Sequence, residues 1–471
     1  MAFSIHLTDP AIRAAFDEAV RNVTVTNLIP FDEKNHNSTG LLDREDPAMI
    51  RAGGGYDTPW TRDSAVNTWM AGRFLVPRAA RNTLFAVCVP DGQGQPIIIP
   101  DNQVWDRIVW AVGAWQYYLA TGEEDFLKTA RDIVARGLGV LHGERFVEAT
   151  GLYAGGSFFN DGISGYPQDI YEPGMDHSFM GMHPKTETIQ CLSTNCIYCE
   201  AWRILDRMNS LLGIRDPEPG LRHQALKEAI CRGFGTADGS YGYLIYPDGR
   251  RDDSQELAGI CFGVLFGILP PRALEKLHRE PAGYPSIWPP FPGLFSLQRP
   301  GRHNNLIWPF LNGFYILAAA GCGMEEAVGQ ELSSLADMAN RSGGFYEIYD
   351  ARDGSVNGGW QIGGDDLQGH LWESCPEQTW SAAGFIGGVL QGVFGIVTGE
   401  EEISFAPCVP EALRDSRLEG LTLRGKTLNI RLSGWGSRVK ETWINGQRRD
   451  TARISLAEAE DGYDILLTME N

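Results

Sequence analysis

Much is missing from this chain of 471 residues, and each gap excludes a class of function. No apolar run approaches the ~20 residues that a membrane-spanning helix requires, so no span is expected. Residues 1–21 hold no apolar stretch behind a basic start, the pattern of a secretory leader, and the expectation is a cytoplasmic protein. Positive charge is scarce, with 40 Lys and Arg against 60 Asp and Glu, a formal charge of −20. Nucleic acid and anionic membrane surfaces need basic patches, so neither is expected as a partner. No His pair stands at zinc-motif spacing and no glycine-rich phosphate loop opens a helix. Gly162-Ile163-Ser164-Gly165 falls short of a nucleophile elbow. The chain is therefore expected to need no cofactor and no metal.

Cysteine is sparse and odd in number. Nine are scattered through apolar contexts and read as reduced core thiols. Cys191, Cys196 and Cys199 do carry the spacing of plant-type iron–sulfur ligands. They lie inside one helical run, however, at offsets that share its apolar face, and core thiols are the preferred reading.

What is present is ordinary in bulk: 43% hydrophobic and 21% charged residues, as in a water-facing globular protein. The length exceeds one small core and suggests a large domain plus a small one. Aromatic residues reach 10%, with 13 Trp, as expected where rings line a cleft.

Apolar periodicity and capping signals predict helices at 11–23, 61–74, 77–87, 104–119, 123–141, 186–212, 221–234, 254–266, 271–278, 304–320, 324–340 and 376–395. Long loops, notably 151–184 and 284–302, fall between members of this series, and such loops usually carry function. After Gly399 the pattern changes to short alternating strands, with Asn445-Gly446 as a turn. The expected division is a helical domain over 1–396 and a small antiparallel β domain over 397–471.

Glu347 lies between Tyr346 and Tyr349, ahead of a turn-rich loop at Asp350, Asp353 and Gly354. A carboxylate flanked by rings suits a sugar site, where aromatics stack on pyranose faces and the carboxylate takes a proton from water. Asp161 follows Phe158 and Phe159, an apolar setting that favours the protonated acid; Asp169 and Asp176, in the same loop, are the fallback candidates. Glu373 and Glu377 rival Glu347 as base, although an acid at a helix start such as Glu377 is favoured by the dipole anyway. Arg62 and Asp63 at a helix start can hold two hydroxyls, or simply pair with each other. Tyr56, Trp60, Trp308 and Trp380 are candidate stacking platforms, with plain core packing as the competing account.

Trp60-Thr61-Arg62-Asp63-Ser64, Phe158-Phe159-Asn160-Asp161-Gly162, His183-Pro184-Lys185-Thr186-Glu187-Thr188, Asn304 to Phe310, Gly343 to Asp350 and Cys375 to Ala382 occur in the order found in the six-hairpin glycosidases. Over residues 50–395 the chain resembles that clan, which includes glucoamylases, debranching-type glucosidase domains, processing α-glucosidases, trehalases and mannosylglycerate-type hydrolases. The resemblance implies a mainly α fold, an (α/α)6 toroid of about twelve helices, followed by the small β domain. It further implies an exo-acting, inverting hydrolase of a terminal α-linked sugar such as glucose, with a small carbohydrate as partner. Asp161 would be the general acid and Glu347 the general base. Tyr56, Trp60, Arg62, Asp63, Glu187, Trp308, Glu373, Glu377 and Trp380 would bind substrate. The acid motif departs from the usual Trp-Met-Asp type of run. A phosphorylase on the same toroid would need a basic cluster near Glu347, where the sequence offers Arg341 and Arg352. An epimerase or isomerase would need a His shuttle, for which His177, His183, His303 and His370 stand in loops. A sugar-binding protein without turnover and a homo-oligomeric state both stay open.

Overall fold

The structure, a computed structural model, describes residues 3–99, 103–175, 177–277, 302–304, 306–361 and 370–470. Asp101, Asn102, Asp176, Asn305 and nearly all of the expected proline-rich loop at 284–302 lie outside the described residues.

Among the described residues, the helical part is built from α1 (Pro10–Arg21), α2 (Thr61–Asn67), α3 (Pro77–Ala86), α4 (Asp106–Thr121), α5 (Glu124–Arg145) and α6 (Leu192–Leu211). It continues with α7 (Glu218–Phe234), α8 (Leu257–Leu265), α9 (Arg272–Glu275), α10 (Pro309–Gly321), α11 (Glu325–Ser342) and α12 (Thr379–Gly387). Local chemistry sets the ends. The Asp9 carboxylate accepts the N–H groups of Ala11 and Ile12, each at 2.9 Å, ahead of Pro10. Gly122 and Gly343 close α4 and α11 in the left-handed conformation.

The even-numbered helices form a closed ring: α2 packs on α4, α4 on α6, α6 on α8, α8 on α10, α10 on α12, and α12 back on α2. The odd-numbered helices lie outside it: α3 packs on α2 and α4, α5 on α4 and α6, α7 on α6, α9 on α8 and α11 on α10, while α1 lies against α11 and α12 from the other end of the sequence. Amphipathicity follows position. The inner α10 and α12 are buried on all faces, whereas the outer α1, α5 and α11 alternate buried and exposed residues at helical spacing. Inner helices approach closely where side chains are absent. A Cβ on Gly384 of α12 would stand 2.9 Å from the Phe310 Cα of α10. This ring inside a ring is the expected (α/α)6 toroid.

The helices expected from 186, 254, 304 and 376 start later than periodicity predicts, at Leu192, Leu257, Pro309 and Thr379, and the first and last of these show why. The run expected from Thr186 turns as a 3-10 segment over Pro184–Glu187, and Gln190–Cys191 pairs as a strand before α6 begins. The Thr186 hydroxyl, bonded to the carbonyls of Met180 and His183, ties that segment to the preceding loop. The helix expected from Pro376 starts at Thr379, because Glu377 sits at φ 51° and the Gln378 N–H bonds the Phe345 carbonyl.

The C-terminal layer is a six-stranded sheet in the order β1-β2-β3-β6-β4-β5. These strands are β1 (Ser4–His6), β2 (Arg417–Leu423), β3 (Lys426–Ser433), β4 (Arg438–Ile444), β5 (Gln447–Arg449) and β6 (Gly462–Glu470). One face is buried through Leu418, Leu421, Leu428, Ile430, Ile465 and Leu467. The β4–β5 hairpin turns at Asn445-Gly446, both at positive φ, as the sequence predicts. The sheet is antiparallel apart from β3 and β6: the chain leaves after β5, adds Arg453–Ser455 to a second small sheet, and returns parallel to β3. β1 comes from the start of the chain, so residues of both expected domains share this sheet. No described helix is long and apolar enough to cross a membrane.

Candidate active site

The segments leading into the N-termini of inner helices converge on a cavity of about 330 Å³. Trp60 and Arg62 come from the start of α2, Gln103 precedes α4, Asp161 precedes α6, Trp308 precedes α10, and Trp372 and Trp380 flank the start of α12. Glu347 joins them from the loop between α11 and α12. Helix N-termini carry partial positive charge, which suits a wall holding carboxylates.

Asp161 sits in a loop pinned at several points. Its carbonyl accepts the Met180 N–H at 2.7 Å, and the Ile163 N–H bonds the Ser178 carbonyl at 2.8 Å. Phe159, two residues earlier, holds the left-handed conformation at φ 55°, a strained state for a non-glycine residue. It is kept there among His303, Trp308 and Phe310, with ring centroids 5.2 to 5.7 Å away. The Asp161 carboxylate takes His303 Nε2 at 3.0 Å on Oδ1 and Gln103 Nε2 at 3.2 Å on Oδ2. Burial works against its charge, but His303, Arg62 and Arg302 outweigh burial and bring it down to about 2. Asp161 is therefore ionised in the free site, opposite to the apolar, proton-retaining setting its sequence neighbours suggested.

Glu347 is 6% exposed and accepts Arg302 Nη2 at 3.0 Å. Its own N–H bonds the Cys375 carbonyl at 2.8 Å, which ties the Glu347 loop to the approach of α12. Burial raises its pKa against the opposing pull of Arg302. The neighbours Arg302 and His303 thus hold opposite carboxylates. Arg302 also lies 5.6 Å from the ring centres of both Trp308 and Trp372.

Of the residues singled out from sequence, Tyr56, Trp60, Arg62, Asp161, Trp308, Glu347 and Trp380 line this cavity. Arg62 pairs with the buried Asp106 at 3.4 Å. Asp63 is 1% exposed and not in the lining; burial, against the pull of Arg62, raises it to about 7. Glu187 is outside the lining, paired with Arg145. Glu373 is exposed and also outside it, and Glu377 is held by Arg21 at 3.0 Å and Asn22 at 3.1 Å. Asp169 is engaged elsewhere, by Tyr246 and Arg250. Of the histidines, His303 lines the cavity, His183 bonds backbone groups of Glu172 and His177, and the His370 side chain is outside the described atoms. Arg341 and Arg352 pair with Asp337 and Asp350. Cys191, Cys196 and Cys199 are buried, and burial pushes each thiol up.

Sequence reasoning did not single out Arg302, Gln103, Gln361 or Trp372 as lining residues, and it gave His303 no carboxylate partner. The available signal was local: Arg302 and His303 end a proline-rich stretch just before Trp308-Pro309, where a loop must turn into an inner helix.

No family model matches this chain, and no curated protein does. Solved structures do. A sialidase superposes with a TM-score of 0.67 at 14% identity over 97% of this chain and 42% of its own. A GH78 family rhamnosidase of Bacillus sp. GL1 gives 0.56 at 15% identity over 91% of this chain and 41% of its own. This chain thus spans less than half the length of either. A GH63 mannosylglycerate hydrolase from Thermus thermophilus, in complex with glucose, gives 0.56 at 14% identity over 79% of this chain and 99% of its own. At these identities the likeness is one of fold, the (α/α)6 toroid on which such glycosidases are built.

Proposed function

We propose that the protein is an exo-acting glycoside hydrolase that removes a terminal α-linked sugar with inversion. The observation that carries this reading is a pair of carboxylates, Asp161 and Glu347, facing one cavity walled by Tyr56, Trp60, Trp308, Trp372 and Trp380. Inversion needs one carboxyl to protonate the leaving oxygen while the other activates water across the ring, from roughly 6.5–9.5 Å away. The aromatic wall offers pyranose faces a place to stack. Glucose is the sugar to try first, because the mannosylglycerate hydrolase of the same fold was found with glucose bound.

In this reading Asp161 donates the proton and Glu347 takes one from water. Since Asp161 is ionised in the free site, the donor role requires it to take up a proton from solvent as substrate binds and desolvates the carboxylate itself. Activated aryl glycosides test the assignment. A leaving group that needs no protonation restores turnover to the acid variant and leaves the base variant inactive. Rescue of Asp161→Asn supports Asp161 as acid and Glu347 as base; rescue of Glu347→Gln reverses the two roles.

The companion assay is proton NMR of the anomeric region on maltose, isomaltose, trehalose and mannosylglycerate. Release of the inverted free sugar, lost by about 10²–10⁴-fold in Asp161→Asn and Glu347→Gln, is the expected result. Unchanged turnover in both variants sinks the proposal. Arg62 and Arg302 on the wall favour one second reading, a phosphorylase in which phosphate takes the place of water. Product formed only when phosphate is added would establish it.

A further inference from the structure

Resting on the reading of Asp161 as a working carboxylate, we infer that His303 is a positioning residue. Its Nε2–H fixes Oδ1 of Asp161 and leaves Oδ2 as the oxygen that meets the substrate.

The imidazole has little freedom. It is 3% exposed, lies parallel to the Trp308 indole at 5.0 Å and 19°, and rests against Phe159 at 5.7 Å. Nε2 stands 3.0 Å from Asp161 Oδ1, while Nδ1 has no hydrogen-bond partner among the described residues. The Nδ1 edge is pressed on the backbone of Gly162, where an added Cβ would lie 2.6 Å from that nitrogen. Only a glycine lets the ring come so near the residue that follows Asp161.

The tautomer follows from the neighbours. The charged groups around the imidazole are Asp161, Arg62 and Arg302. Burial and the two guanidinium groups lower its pKa and outweigh the carboxylate, so the ring is neutral. An ionised Asp161 accepts and cannot donate, which places the imidazole proton on Nε2 and leaves Nδ1 bare. A neutral ring with its proton committed to Oδ1 neither gives nor takes a proton during turnover; it orients. Oδ2, by contrast, accepts the longer bond, 3.2 Å, from the Gln103 amide on the cavity wall. That partner can yield to a substrate oxygen or a water.

Two measurements test this. Long-range 15N NMR of the intact protein at pH 8, with His303 assigned by its loss in His303→Gln, is expected to give a neutral ring with its proton on Nε2. An Nδ1–H tautomer overturns the inference without reference to activity. Kinetics supply the second arm. His303→Phe keeps the stacking and removes the donor. The expected result is a fall in kcat of about 10- to 100-fold with KM within about twofold, and an acidic limb of kcat/KM moved up by about one pH unit. His303→Gln, which keeps an N–H for Oδ1, recovers most of kcat. Wild-type kcat and an unmoved limb in His303→Phe, alongside an inactive Asp161→Asn, overturn the positioning role alone. Full turnover by Asp161→Asn overturns the reading of the site itself, whatever His303 does.

Discussion

Glu256 offers a quantitative check on how the loop bearing Asp161 is held. It stands just before α8, is 1% exposed, and receives the Ser157 hydroxyl and, at 2.9 Å, the Ser193 N–H. Ser193 Oγ in turn accepts the Phe158 N–H at 2.9 Å. One buried carboxyl therefore ties the inner helices α6 and α8 to the stretch that runs into Asp161. Burial, only partly offset by these donors, raises it from an ordinary 4.5 to about 7. Because the folded pKa lies above the unfolded one, the folded protein holds an extra proton between those values. The associated stability is fully present below pH 4.5 and is lost as pH rises through 7. At ~1.4 kcal/mol per pH unit, the gap corresponds to about 3 kcal/mol. Glu256→Gln imitates the protonated acid at every pH, with Oε1 accepting from Ser193 and Nε2 donating to Ser157. Urea unfolding of both proteins at pH 4.5, 6 and 8 is the assay. The difference is expected to move by about 3 kcal/mol in favour of the variant across this range and then level off. Stability curves that stay parallel would refute the reasoning.

Two further outcomes follow from the ring and the cavity mouth. Gly384→Ala would gain about 1 kcal/mol from helix propensity alone, yet its Cβ must fit 2.9 Å from the Phe310 Cα, so a net loss of about 1–3 kcal/mol is expected in thermal unfolding; a stabilised variant contradicts the close approach. Trp372, 39% exposed on the cavity wall, is expected to act on binding: Trp372→Ala raises KM about fivefold, from about 1 kcal/mol of ring contact, with kcat held within about twofold. A fall in kcat at constant KM would give Trp372 a different job.

The fold was legible because its rule is written in period. Helices buried on one stripe alternate with helices buried all round, and caps such as Asp9-Pro10 and Gly122 mark their ends in one-letter terms. The tail was legible for the same reason, down to Asn445-Gly446. What periodicity could not convey was pairing across long separations. The parallel match of β3 with β6, and the seat of β1 beside β2, depend on the path of the chain rather than on any local pattern. The site divides likewise. Trp60 and Arg62, Asp161, Trp308 and Glu347 stood out through their immediate neighbours. Arg302 did not, and His303 stood out only as a loop histidine, because their meaning lies in carboxylates 45 and 142 positions away. Glu377 misled for a physical reason: an acid before a helix looks functional or dipole-paired, whereas it is bound by Arg21 and Asn22 at the end of α1.

The closed ring also governs when the cavity comes into being. Its cavity draws on residues from Tyr56 to Trp380, and the wall is complete only once α12 has docked between α10 and α2. A complete cavity therefore arrives late, with the last inner helix as the clasp. Partly made molecules present neither the second carboxylate nor a sheltered pocket. Burial of Trp380 in a refolding experiment should accordingly trail the burst of helical signal and coincide with protection of the α12 amides.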